Sequence, residues 1–151
     1  MSRFLPLALL LAAGPATAAS TFPVDDSRSH VQSPLVRTRW EDPVPGRGSN
    51  AVIGQLTVVA RLDVSPWRGR EGRIYLTLPP QAFDALTASW TTHGRLLPGT
   101  VRSGQRTLVY AGPIATDEIE DVLLLTLKAD GSRLFRTEAV EFRFEIDVDT
   151  P

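Results

Sequence analysis

The sequence predicts an all-β protein, an antiparallel β-sandwich of about seven short strands. Two observations carry this. After Asn50, apolar and polar residues alternate at period two, and Gly, Pro or Asp-Gly turns interrupt the alternation about every 8–12 residues. A helix finds almost no room, because only residues 80–86 admit one, of a single turn.

Residues 1–19 read as a secretory signal peptide. Arg3 supplies a positive start, residues 4–13 run apolar apart from Pro6, and Gly14-Pro15 breaks the helix. Ala16-Thr17-Ala18 and Thr17-Ala18-Ala19 both fit the small-x-small cleavage pattern. The apolar run is shorter than the ~20 residues needed to span a bilayer, and no second run approaches that length. The expected location is therefore periplasmic or extracellular, with no transmembrane segment after signal removal.

Residues 20–50 are rich in Pro, Ser, Arg, Asp and Gly and read as an irregular segment or linker. One stretch, 34–40, is strand-like: Leu35, Arg37 and Arg39 alternate with Val36, Thr38 and Trp40. Pro34 is tolerated at the start of an edge strand, and Trp40 would then anchor that strand to the body.

Residues 51–151 form the sandwich domain. Val52, Gly54, Leu56, Val58, Ala60, Leu62 and Val64 share one face of the first strand, which Ser65-Pro66 stops. Strands follow at 72–78, halted by Pro79-Pro80, and at 86–92, ended by His93-Gly94. A short strand at 95–97 precedes Pro98-Gly99, and another runs over 106–111. Residues 121–129 are long and apolar, with Leu123, Leu125 and Leu127 on one face. Asp130-Gly131 predicts a type I′ hairpin turn, which needs positive φ at both central residues. In the last strand Val140, Phe142, Phe144, Ile146 and Val148 face in, while Glu141, Arg143, Glu145, Asp147 and Asp149 face out. Seven such strands with these turns predict a sandwich of the immunoglobulin-like kind.

Composition excludes several function classes. The 151 residues hold 16 Lys+Arg against 17 Asp+Glu, so the basic excess of a nucleic-acid binder is missing. There is no cysteine, hence no disulfide, no thiolate zinc site, no cysteine nucleophile and no lipid-modified cysteine. In an exported protein, the alternating core must then hold the fold unaided.

From Ala88 onward the order of features resembles bacterial extracellular immunoglobulin-like domains of the polycystic-kidney-disease type. The pieces are Trp90-Thr91-Thr92-His93-Gly94, Val109-Tyr110-Ala111-Gly112-Pro113, the Leu-rich run from Asp121 to Asp130-Gly131, and the last strand at 140–148. The family's Gly-Asp-Gly after its Trp strand is absent. The resemblance implies adhesion, binding of carbohydrate or protein, or a spacer role, and it implies no catalysis.

Chemistry is sparse. The two histidines, His30 and His93, lie apart in sequence with no ligand partner at metal spacing. His93 could join a Ser–His–acid site, but no Gly-x-Ser-x-Gly elbow accompanies it. The acidic turn with Asp117, Glu118, Glu120 and Asp121 could offer oxygen ligands to calcium, although an Asp-x-Asp-x-Asp-Gly loop is missing. The expectation is no cofactor. The better contact candidate is Trp67 with Arg68, Arg70 and Arg73, residue types enriched at binding hot spots. The favoured reading of the same turn is nevertheless that Trp67 folds over the sandwich end while its arginines stay solvated, because large aromatics more often close a core than decorate a surface.

Charge is uneven. Residues 20–110 hold eleven arginines against seven acids, whereas residues 111–151 hold four basic residues against ten acids. Cross-strand pairing would absorb this, and a dipolar molecule that associates with itself is the other outcome. Together these readings predict a non-catalytic module that binds or assembles with another protein of the cell envelope or surface. The alternative is a periplasmic carbohydrate- or calcium-binding protein, or a small hydrolase, using the acidic turn or His93.

Overall fold

The computed structural model describes residues 18–32, 38–42, 50–80, 86–131 and 140–149. Its strands are β1 (Ala19–Pro23), β2 (His30–Val31), β3 (Thr38–Trp40), β4 (Ala51–Asp63), β5 (Glu71–Leu78), β6 (Thr87–Thr92), β7 (Gly99–Arg102), β8 (Gln105–Pro113), β9 (Glu118–Asp130) and β10 (Arg143–Asp149). They form two antiparallel sheets packed as a sandwich. Sheet A has the order β1-β10-β5-β8, and sheet B the order β2-β4-β9-β6-β7, with β3 also paired to β4.

The alternation predicts the strands because it gives each sheet one apolar face to bury. Ala60, Leu62 and Val64 from β4 and its end meet Ile74, Leu76 and Leu78 from β5, all at most 1% exposed. Leu123 and Leu125 of β9 and Ile146 and Val148 of β10 complete this core. The spine of sheet B is the β4–β9 pair, in register from Ala51↔Asp130 to Asp63↔Glu118.

Most connections change sheets. The chain passes from β4 to β5 through a 3₁₀ turn, Ser65–Trp67, with Pro66 near its start, where a missing N–H costs nothing. Gly69 follows at φ +84°, a conformation that strongly favours glycine. Between β7 and β8, Gly104 at φ +78° donates to the Leu78 carbonyl at 2.8 Å and carries the chain from sheet B to sheet A. Opposite the Ile74/Tyr75 step, β8 carries a bulge. Val109 is wholly buried there and its carbonyl accepts from the Leu97 N–H at 2.7 Å.

Four local expectations are corrected. Asp130 and Gly131 do not turn β9 into β10: the two strands lie in different sheets, and neither residue has positive φ. Residues 95–97 are turn, not strand, and the hairpin partner of β6 is β7. Asp147 faces outward yet is only 7% exposed, because β8 and β1 supply side chains that cover it. The stretch read as irregular contributes β2, β3 and most of β1. Of the expected strand 34–40, only Thr38–Trp40 is seen as strand, since 34–37 lie outside the described residues. The signal peptide to residue 17 and most of the candidate helical turn lie outside them too.

Candidate functional site: an apolar cleft between the sheets

The inward rows of three strands close at one end of the sandwich and open at the other. Along β4, Ala60 and Leu62 are fully buried, while Val52, Leu56 and Val58 are only half-buried. Along β9, Leu123 and Leu125 are buried, and Leu127 and Ala129 are half-buried. Leading into β10, Val140 and Phe142 are half-buried, whereas Ile146 and Val148 are closed off. These half-exposed ends face one another across a cleft of about 940 Å³, near the top of the range of small-ligand pockets.

The path of the N-terminal strand creates the opening. The β1 ladder on β10 runs from Ala19↔Asp149 to Pro23↔Glu145, and Val24 adds a last bond from its N–H to the Phe144 carbonyl at 2.9 Å. Val24 is buried, and the chain then leaves sheet A. Asp25 bridges to Asp63 on sheet B, the Asp63 N–H donating to the Asp25 carbonyl at 3.0 Å. Next β2 pairs with Val58 and Val59, and β3 with 52–54, so the far edge of the cleft belongs to sheet B.

The rim is polar and of mixed charge. Asp26, Ser27, Ser29 and His30 line it on the crossing segment, and Glu141 and Arg143 on the other side. Glu141 and Arg143 pair at 3.5 Å. Burial raises the Asp26 carboxyl above its ordinary pKa, against a backbone hydrogen bond that lowers it, and neighbouring Asp25 adds to the rise. Val31, 43% exposed, stands opposite Val58, and Trp40, 46% exposed, opposite Val52, so the register carries the apolar surface outward past the rim. Apolar side chains lining the cleft, with polar groups at its edges, suit burial of apolar groups.

The expected contact turn sits at the closed end. Trp67 is 8% exposed and belongs to the core, with its ring centroid 6.1 Å from that of Phe22. Of the two readings of this turn, the structure agrees with the one in which Trp67 folds over the sandwich end: the 3₁₀ turn tips the indole inward. Arg68 pairs with Asp117 at 3.0 Å, Arg73 with Asp149 at 3.4 Å, and Arg70 donates to the Asp149 carbonyl. The structure therefore gathers Trp67 and its arginines with both ends of the described chain, but in ion pairs that face solvent.

The acidic turn is taken apart by similar pairing. Glu120 meets Arg61 at 2.9 Å, directly across the β4–β9 ladder, and Glu118 pairs with Arg28. Asp121 turns inward, 4% exposed, and accepts from the N–H groups of His93 at 3.1 Å and Leu96 at 2.8 Å. Its role is to hold the β6–β7 turn, and the His93 side chain stays exposed. Among the described residues no group of three or more His, Cys, Asp or Glu is placed to hold a metal ion. Arg28, Arg61, Arg68, Arg73 and Arg106 of the arginine-rich part thus pair with acids of the acidic part.

Sequence reasoning missed the cleft, since the apolar alternation is as regular at its open end as at the closed end. No family model, curated protein or solved structure matches this chain.

Proposed function

We propose that this chain is an exported, non-catalytic β-sandwich module that binds another protein of the cell envelope or surface, with the open cleft as its docking site. The observation that supports this most directly is the common opening of the β4, β9 and β10 rows, which leaves half-buried apolar side chains facing one cavity. Soluble proteins seldom leave such surface without a partner. A carbohydrate site would call for a polar lining, whereas the polar groups here stand at the rim. Export rests on the signal-peptide pattern of residues 1–19. No helix among the described residues is long and apolar enough to cross a membrane.

Ala129 lines the cleft and is half-buried, so Ala129→Trp fills it with little disturbance elsewhere. Tagged wild-type chain and this variant, each exposed to envelope extract from the source organism, test the reading. A protein retained by the wild type and lost by Ala129→Trp is expected. Equal retention by both, or binding of a glycan alone, would overturn it.

A further inference from the structure

We infer that the cleft receives an extended segment of the partner, which adds as a strand beside residues 140–144 and places alternate apolar side chains between the sheets. The inference rests on the reading above that a protein fills the cleft.

The reason is a backbone edge along one side that no described strand pairs. In an antiparallel ladder the N–H and C=O of one residue point to the same neighbouring strand, and the direction alternates along the chain. The Phe144 carbonyl is the last to meet the N-terminal segment, through Val24. The backbone groups of Phe142 and Val140, two and four residues earlier, face that same edge if the strand continues. Residues 140–142 are in no ladder, and among the described residues no strand lies beside them. The chain that would have covered them crosses to sheet B at Asp25. Among the described residues this leaves a one-strand-wide position unfilled, collinear with β1, whose floor is the apolar cleft.

The dimensions fit such an occupant. Residues 140–144 span about 17 Å at ~3.4 Å per residue, so a matching strand of about five residues sends two or three side chains inward. The even positions Val140, Phe142 and Phe144 supply one wall, and Leu56, Val58 and Leu127 supply another. Rim chemistry separates a peptide from an acyl chain. Charged or polar groups stand on both edges of the cleft, Asp26 and His30 on one and the ion pair of Glu141 and Arg143 on the other. They match the polar outer face of an amphipathic strand, whereas a lipid headgroup would call for one charged cluster at one mouth. Strand addition at an exposed edge, with pockets reading alternate side chains, is an established mode of peptide recognition.

The test uses a blocked, fluorescein-labelled peptide of alternating Val and Thr with a Lys at each end, with palmitate as a parallel probe. Amide exchange on the wild-type chain is expected to show peptide-dependent protection at Val140 and Phe142. Peptide affinity, read by anisotropy, is expected to weaken about tenfold in Ala129→Trp, which fills the cleft, and in Val140→Pro, which removes one edge donor. Both variants are used only if their melting stays cooperative. The exchange measurement on the wild type stands without them. Absence of protection at those amides, or peptide affinity unchanged in both variants, overturns strand addition. So does palmitate uptake that Ala129→Trp abolishes and Val140→Pro leaves intact. Retention of an envelope protein that is lost in Ala129→Trp but kept in Val140→Pro would sink the strand mode and leave the docking cleft standing.

Discussion

Arg106 of β8 grips both carboxylate oxygens of Asp147 on β10, at 3.1 and 3.0 Å, with the whole of β5 between their strands. The guanidinium crosses the ring of Tyr75, with its central carbon 4.0 Å from the centroid. From the other side Thr21 of β1 donates to Asp147 at 2.5 Å. One carboxylate thus ties all four strands of sheet A across the outer face, which explains how a charged residue is buried where alternation predicts a solvated one. The fork of two parallel bonds is a geometry that arginine supplies and lysine does not.

This pair should be visible in acid. The hydrogen bonds from Arg106 lower the Asp147 pKa below its ordinary value of 3.8, outweighing burial, which raises it. A carboxyl whose folded pKa is depressed stabilises the fold fully above the unfolded value and loses that contribution as pH falls through the folded one. Asp147→Asn should therefore be less stable than wild type by about 2 kcal/mol at neutral pH. The difference should shrink below pH 3.8 as the wild-type carboxyl protonates. Urea denaturation across that range is the measurement, and a difference independent of pH would remove the ion pair from the account.

Trp67 is expected to act through the core. Trp67→Ala should cost about 3–5 kcal/mol in equilibrium unfolding, since a buried indole leaves a cavity the 3₁₀ turn cannot close. A loss under about 1 kcal/mol would assign the residue to the surface instead.

Gly131 is required for space and not for its backbone conformation. A Cβ there would stand 2.5 Å from Val52 Cγ2 and 2.6 Å from the Trp40 ring. Gly131→Ala should destabilise by about 1–3 kcal/mol through overpacking. The double variant with Trp40→Leu should recover part of the loss, while strict additivity would show that Trp40 is not the obstacle.

Asp121 is expected to be structural. Asp121→Ala leaves the buried N–H of Leu96 and that of His93 without this acceptor, which should cost about 2 kcal/mol in thermal or urea unfolding. Because Asp117, Glu118 and Glu120 already face arginines, calcium and chelator should leave the wild-type melting temperature equal. A rise with calcium would reopen the acidic turn as a site.

Much of the fold is legible from local chemistry. The rows Ala60–Leu62–Val64 and Phe144–Ile146–Val148 face inward as their alternation predicts, since period two sends every second side chain to one face. Turn chemistry was less dependable. Asp130-Gly131 looks like a hairpin, yet the glycine is there because Val52 and Trp40 crowd it, and those residues lie 79 and 91 positions away in sequence. Trp67 among three arginines admitted both a contact surface and a closed core, and the structure shows its indole closing the core while its arginines meet Asp117 and Asp149.

By itself the sequence determined that this protein is an antiparallel sandwich without cysteine chemistry, because alternation and residue type are local properties. Only the tertiary structure decided where the sandwich is incomplete. Whether Val58 or Phe142 is covered depends on where β1 leaves sheet A, and that crossing is held by contacts far apart in the chain: Val24 to Phe144 and Asp25 to Asp63. Inward positions read alike in the sequence whether a neighbouring strand covers them or not. The cleft therefore appears only once the sheets are assembled.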